Sequence, residues 1–431
     1  MSNISTMASV LGSIPFDLKS HPFLLCTGVL LPYLLLVRHL RYRRLNNLLK
    51  AIERDCGTVR KSSDIPLYHA EAIVRNVGTW DFPKMMRLSL QFALFRTYGI
   101  PTISSLLWKT RQLAQRSTAH RRYVDTSVLI IETLSFPLES PRGQLAVERI
   151  NYLHSRHKGS ISNDDLLYTL ALFMCQPGVF IDRFEWRKLH PVEKMGLHRF
   201  WSQMGVMMGI QGIPDSYEAI YEWANAYETK YMVPAEVNAK VAVATVDILL
   251  YFVPGFLHSS ALPIIHAICD PRLRASFYWP DPPSYATTLV NALFGFRAFV
   301  IRNLFLPRFS PHHGITHDPV DASVPLSQRR YYTSIWETDP WYFKKTYWNT
   351  YGPGALLCKF MGWAVPNQEF DSVSGYRIGE MGPKAAIGKG PGNDGCEPGS
   401  FLGSGTIISN TTEEFHKKAV EGAGTCPMFV D

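Results

Sequence analysis

Cysteine is sparse and scattered. The seven cysteines stand at 26, 56, 175, 269, 358, 396 and 426, an odd set without a Cys-x-x-Cys pair. That argues against a disulfide framework and a structural zinc site, and for a reducing compartment. Familiar metal and nucleotide signatures are also missing. There is no His-Glu-x-x-His and no pair of Glu-x-x-His motifs for a di-iron bundle. The glycine-containing stretch GPKAAIGKG (382–390) has the wrong spacing for a phosphate loop and no Ser or Thr after Lys389. Charged residues make up only 19% of the chain. No zinc-finger spacing or RNA-binding signature is present, so no nucleic acid is expected as a partner.

What is abundant is apolar and aromatic surface, at 46% and 13% of residues, together with a net charge of +8. A chain of 431 residues can bury a large core. The excess of positive charge points to an anionic partner surface, and a negatively charged cytosolic leaflet is the simplest.

A continuous uncharged run, FLLCTGVLLPYLLLV (23–37), follows a polar segment at 1–21. As a helix it is about 22 Å long, against roughly 27 Å for the endoplasmic reticulum hydrocarbon core. Pro22 and snorkelling by Arg38 and His39 close most of the gap. Arg38, Arg41, Arg43 and Arg44 follow the run rather than precede it, and no small-x-small cleavage site is evident, so a signal-anchor is favoured over a cleaved signal peptide. The expected organisation is a lumenal segment at 1–21, a single transmembrane signal-anchor at 22–40, and a connector at 41–65. A cytosolic α-helical domain follows at 66–365, then a loosely ordered Gly/Pro/Ser-rich tail at 366–431. N-glycosylation at Asn410 would overturn that topology.

The stretch from Arg121 to Pro177 reads as three helices. In the first, Arg122, Thr126, Leu129, Ile130 and Thr133 recur on one face, with Asp125 beside it. In the second, Ser140 and Pro141 form a start signal, and Ala146, Ile150, Leu153 and His154 share one side. The third has Ser162 as its cap, Asp164 and Asp165 in its first turn, and Pro177 as its expected end. A neutral imidazole is a good ligand for haem iron and leaves the opposite face free for dioxygen. An arginine and a hydroxyl on a neighbouring helix could polarise that oxygen. From the residues alone, a core histidine bonded to a carbonyl and a surface arginine remain the alternative.

Elsewhere, helices are expected over about 66–115 with a break at Gly99 and Pro101, from Pro191, and after Asp215–Ser216. His198, on a methionine-rich helix, is a second candidate iron ligand. Val241–Leu257 reads as a core helix, and Leu289–Phe305 as an interfacial or core helix. His312, His313 and His317 suit either a flexible loop or a non-haem metal site. The aromatic segment at 336–351 suits a membrane interface or a lid.

Six segments carry a resemblance: FALFRTYGIPTIS (92–104), RRYVDT (121–126), RINYLHSRH (149–157), ISNDDLLYTLALF (161–173), DPWYFKKTYWNTYG (339–352) and GYRIGEMGP (375–383). In order and spacing, the body from about 66 to 390 resembles the fungal ER-bound oxygenase family typified by MpaB of mycophenolic acid biosynthesis. That family shares its catalytic domain with bacterial rubber (latex-clearing) oxygenases. The resemblance implies an all-α, globin-like core binding b-type haem iron. It also implies dioxygen-dependent cleavage of a carbon–carbon double bond in a prenylated small molecule, at the ER membrane, in secondary metabolism. His154 matches the proximal ligand, and Arg122 and Thr126 match the distal arginine and threonine. The rubber oxygenases place a lysine just before that threonine; here Asp125 stands in its place, which puts the resting sixth ligand in doubt. The competing expectation is a non-catalytic, membrane-tethered lipid-binding or scaffold protein of the same fold.

Overall fold

The computed structural model describes residues 22–111, 116–157, 159–393, 396 and 399–403; the side chains of 22–27, 116 and 117 are outside that description. The segment at 1–21, Asn410 and the tail beyond 403 lie outside the described residues.

Helices appear where capping and apolar periodicity place them. α1 is Pro22–Cys56, α2 Leu67–Arg75, α3 Pro83–Thr97 and α4 Pro101–Thr110. α5 is Arg116–Ser135, α6 Pro141–Ser155, α7 Asn163–Phe184 and α8 Pro191–Met207. They continue with α9 Tyr217–Tyr231, α10 Glu236–Leu249, α11 His258–Ile268, α12 Pro271–Ser276, α13 Ser284–Asn303, α14 Tyr347–Tyr351 and α15 Pro353–Phe360. Among the described residues there is no β-strand, only isolated bridges such as Tyr331 with Tyr376. The protein is all-α, as expected.

The start signals work as read. Ser140 caps α6 by accepting from Gly143 N–H, and Ser162 caps α7 by accepting from Asp165 N–H. Pro177, however, does not end α7, which continues to Phe184. Proline costs the helix one N–H, but Phe180, Ile181 and Phe184 beyond it are all buried, and that burial keeps the chain helical. The stretches expected as anchor and connector, 22–40 and 41–65, share one continuous helix, α1, as far as Cys56.

The main core is formed where α3 lies along α7 and α2 along α8, with α9 and α10 closing it. Phe173 and Trp201 stack across α7 and α8 with centroids 5.3 Å apart. A smaller core joins Val128 and Leu129 of α5 to Tyr331, Tyr342, Tyr376, Ile378 and Met381. Part of the segment expected to be a loosely ordered tail is therefore packed: Tyr376, Ile378 and Met381 are buried against α5, while Val373 and Ile387 stay exposed. Leu289–Phe305 is not a core helix either. α13 exposes Leu293, Phe296 and Phe299, and it is long and apolar enough to cross a membrane by length and composition.

Candidate functional site

α5 and α6 are fixed to each other by a buried ion pair. Arg142 Nε and Nη2 each donate to Glu132 at 2.8 Å, and Tyr376 Oη donates to the same carboxylate at 2.6 Å. Arg142 also donates to the carbonyls of Thr316 and His317. Every partner is satisfied, so the pair fixes register instead of leaving a stranded charge.

On α5, Asp125 is fully buried. Its carboxylate accepts from Arg122 Nη1 at 3.1 Å, Tyr342 Oη at 2.9 Å and Gly382 N–H at 3.2 Å. Burial raises its pKa above the usual range, while Arg122, Arg121 and the two other donors oppose that shift. Both carboxylate oxygens are thus engaged, and Asp125 acts as the clamp that aims Arg122. Arg122 keeps a buried Nε without a hydrogen-bond partner, so one donor remains available. Thr126 Oγ1 donates to the Arg122 carbonyl at 2.9 Å.

His154 sits in the last turn of α6. A helix C-terminus favours a cationic imidazole, but burial wins and holds the His154 pKa down to about 4, with His157 adding a smaller push the same way. The ring is therefore neutral at physiological pH. Neither ring nitrogen makes a hydrogen bond among the described residues, so the expected alternative of a carbonyl-bonded core histidine does not describe it. The residue lies deep in the body yet keeps part of its surface free of packed neighbours. A neutral imidazole without a hydrogen-bond partner has the donor chemistry of an iron ligand. Arg122 lies within electrostatic reach of His157, three residues on, so the α5 arginine and the end of α6 share one neighbourhood.

What sequence reasoning missed is the cover over α6. Arg149 is fully buried and has no carboxylate partner. It donates instead to three carbonyls of the 381–389 segment: Met381 at 2.8 Å, Lys389 at 2.5 Å and Ala386 at 3.1 Å. Burial without a counter-charge lowers its pKa to about 10. Asn151 donates to Phe401 O at 2.7 Å, and Glu148 accepts from Gly399 N–H. Two glycines permit the approach. Gly382, at φ +123°, would bring a Cβ to 2.7 Å from Leu153, and Gly390, at φ +74°, to 2.6 Å from Tyr152. Residues 375–393 and 399–403 thus lie as a strap across the helix that carries His154. The glycines and the arginine of RINYLHSRH were the available signal.

The other candidates separate from this site. His198 is a core histidine, its Nε2 2.9 Å from the Pro214 carbonyl. His313 and His317 face each other at 3.0 Å, and among the described residues no group of three His, Cys, Asp or Glu is placed to hold a metal. A narrow cavity of about 50 Å³ lies between α3 and the opposite face of α5, lined by Leu90, Leu94, Tyr123, Ser127 and Ile131. A larger one of about 400 Å³ lies at the foot of α1. Neither is lined by His154 or Arg122.

Comparison with known proteins covers most of the chain. It is 36% identical over 379 residues to the ER-bound oxygenase mpaB' of Penicillium brevicompactum, covering 84% of this chain and 88% of that protein. It is 32% identical over 381 residues to the ER-bound oxygenase mpaB of the same species, covering 85% and 86%. A third relative, the ER-bound oxygenase mpaB of Penicillium roqueforti (strain FM164), is 38% identical over 280 residues, covering 62% and 93%. No family model matches the chain.

Proposed function

This chain belongs to the ER-bound oxygenase family represented by mpaB and mpaB', and we propose that it is a membrane-tethered, haem-dependent oxygenase that cleaves a carbon–carbon double bond in a prenyl chain. The observation that carries the cofactor is His154, a half-buried neutral imidazole with no hydrogen-bond partner, on the helix packed against the one whose Arg122 keeps a buried Nε unpaired. His154 would hold haem b through its iron, and the bound haem would supply dioxygen chemistry.

The chain's own residues have distinct tasks. Asp125 holds Arg122 in place by an ion pair within one turn of α5. A guanidinium fixed in a water-poor site stabilises negative charge developing on oxygen without reorganising. Thr126 sits on the same face, but its hydroxyl is committed to the Arg122 carbonyl, so its first task is to hold that turn. The strap covers α6 through Arg149, Asn151 and Leu153, just before His154. An apolar substrate with an isoprenoid tail would arrive from lipid, where each buried CH₂ is worth roughly 0.8 kcal/mol.

The membrane arrangement follows from α1 and α13. Val29, Leu30, Leu31, Leu35 and Leu36 of α1 are exposed, which suits an anchor with the domain on the cytosolic side of the endoplasmic reticulum. α13 has the length to span, but Arg297 in its second half pairs with the buried Glu185 of the body at 2.9 Å. A charge pair at bilayer depth is costly, so α13 lies in the interface with its apolar stripe in lipid.

The test is spectroscopic. Purified full-length protein should show a Soret band, His154→Ala should abolish it, and His198→Ala should keep it. Arg122→Gln should retain haem and lower turnover on a prenylated substrate by at least tenfold. A wild-type protein that purifies from haem-supplied cells without porphyrin would sink the proposal.

A further inference from the structure

The cavity of about 400 Å³ at the foot of α1 sets a group of polar donors among apolar walls from Leu48, Ala72 and Pro311. Its lining includes Arg44, Arg75, Asn76, Thr79, Trp80, His313 and His317, and no Asp or Glu. Three of these belong to a π-helical turn, Asn76–Asp81, inserted after α2. π-turns are rare and recur at functional sites because they displace side chains that an α-helix would stack.

Thr79 spends its hydroxyl on the Arg75 carbonyl at 2.7 Å, but other donors are free or only loosely held. Asn76 is 7% exposed, and its Nδ2 has no hydrogen-bond partner. The Arg75 guanidinium makes no hydrogen bond among the described residues, and its nearest carboxylate, Glu71, is 3.8 Å away. Glu71 itself accepts from Leu138 N–H at 2.8 Å. Arg44 lies flat over Trp80, 4.0 Å from the ring centroid, and is held only by long bonds, to the Arg308 carbonyl at 3.3 Å and Asp81 at 3.5 Å. Asp81 is held more closely by Arg187 at 2.7 Å. The two histidines share one short contact, which leaves each with a second nitrogen for another partner. A cation has no place among these groups. An anion that accepts several hydrogen bonds at once does, and planar guanidinium groups suit phosphate oxygens.

We propose that this cavity is a binding site for a phosphomonoester, with Arg44, Arg75 and Asn76 as its principal donors. Position indicates a lipid headgroup as one source. Arg44 follows Val37, the end of the apolar run, by about 10 Å of helix, which is headgroup depth if α1 is the anchor. The lipid source rests on that reading of α1; a soluble phosphomonoester does not.

Full-length protein in detergent is to be titrated with phosphatidic acid, phosphatidylcholine and glycerol 3-phosphate, followed by native mass spectrometry for the lipids and calorimetry for the soluble probe. Wild type should bind phosphatidic acid at least tenfold more tightly than phosphatidylcholine if the source is lipid, or bind glycerol 3-phosphate if it is soluble. Arg75→Gln, which removes no hydrogen bond from the fold, should weaken either by tenfold or more, and Arg44→Gln/Arg75→Gln should abolish it. The Soret band should be unchanged in both variants, so failure here is distinguishable from failure of the haem reading. Unchanged affinities in Arg75→Gln, or no preference for phosphatidic acid together with no binding of glycerol 3-phosphate, would overturn the assignment.

Discussion

Tyr342 donates its hydroxyl to Asp125 at 2.9 Å from 217 residues further along the chain, and it does so with a backbone φ of +60°. The left-handed region costs an aromatic residue roughly 1–2 kcal/mol, offset here by the Asp125 contact together with backbone bonds to Phe370 and Thr333. The same carboxylate holds Arg122 and the strap residue Gly382. One buried acid therefore ties the arginine of α5 to the cover of α6.

Removing that acid should be severe, and replacing it by an amide should be milder. Asp125→Ala strands a buried guanidinium, a hydroxyl and an N–H, for a loss of about 3–5 kcal/mol in stability. Asp125→Asn keeps an acceptor for Tyr342 or Gly382 but loses the ion pair. Its stability should fall by only about 1–2 kcal/mol, while turnover falls as far as in Arg122→Gln. Denaturant titration and steady-state rates on both variants check this. Equal turnover in Asp125→Asn and wild type would show that Arg122 needs no clamp.

Arg149 should control how tightly the strap closes. Arg149→Met keeps much of the side-chain volume but gives up three charge-assisted hydrogen bonds to carbonyls. At about 1.5–3 kcal/mol for a bond to a charged group, offset by relief of burying that charge, the net loss should be about 3 kcal/mol. Hydrogen exchange should rise over 376–393 and stay unchanged in α3. Limited proteolysis should cut the variant near Lys384 or Lys389. Intact protection of that segment in the variant would mean that glycine packing alone holds the strap.

Acid should stabilise the fold through Asp165. This carboxyl is buried at the start of α7, where Thr102 and Tyr227 donate to it at 2.9 and 3.0 Å. Burial pushes its pKa up to about 6 despite those bonds, against about 3.9 in the unfolded chain. A raised carboxyl pKa means that the folded state binds the proton more tightly. Its contribution is then full below about pH 4 and is lost as pH rises to and past 6, by roughly 3 kcal/mol. The stability difference between wild type and Asp165→Asn should therefore shift in favour of the variant between pH 4.5 and 7.5. Parallel pH profiles for the two proteins would contradict the argument.

The sequence made the helices legible and the cover illegible, for a physical reason. Ser140, Pro141 and Ser162 signal their helices through contacts within one turn, so α6 and α7 begin where local chemistry places them. His154 and Arg122 could be picked out because they are polar residues on apolar helix faces. The strap obeys no period. Tyr376, Ile378 and Met381 are buried by contacts with α5 that lie more than 240 residues away in sequence for Tyr376 and Glu132, and glycine and proline richness reads locally as looseness. The partners of Asp125 were illegible for the same reason, since Tyr342 and Gly382 reach its oxygens from more than 200 residues away. Pro177 failed as a stop signal because a local cost was outweighed by burial of the residues that follow it.

α13 supplies the last test, since its stripe of Leu289, Leu293, Phe296 and Phe299 is exposed and follows helical spacing. Each large apolar side chain withdrawn from water is worth about 1.5–3 kcal/mol, so the stripe alone would hold the domain against a bilayer. An in-plane helix puts these four positions at one depth, whereas a spanning helix spreads them over about 15 Å. Spin labels at each position in full-length protein reconstituted in nanodiscs should all be reached by lipid-soluble dioxygen in preference to an aqueous nickel chelate, with similar depth values. Phe296→Glu/Phe299→Glu should leave the melting temperature nearly unchanged, because neither ring is buried. It should, however, slow turnover of a long prenylated substrate more than that of a short water-soluble one, because delivery from lipid is what the stripe provides. A monotonic change in depth from 289 to 299 would instead make α13 a second span, and labels open only to the aqueous probe would remove it from the membrane altogether.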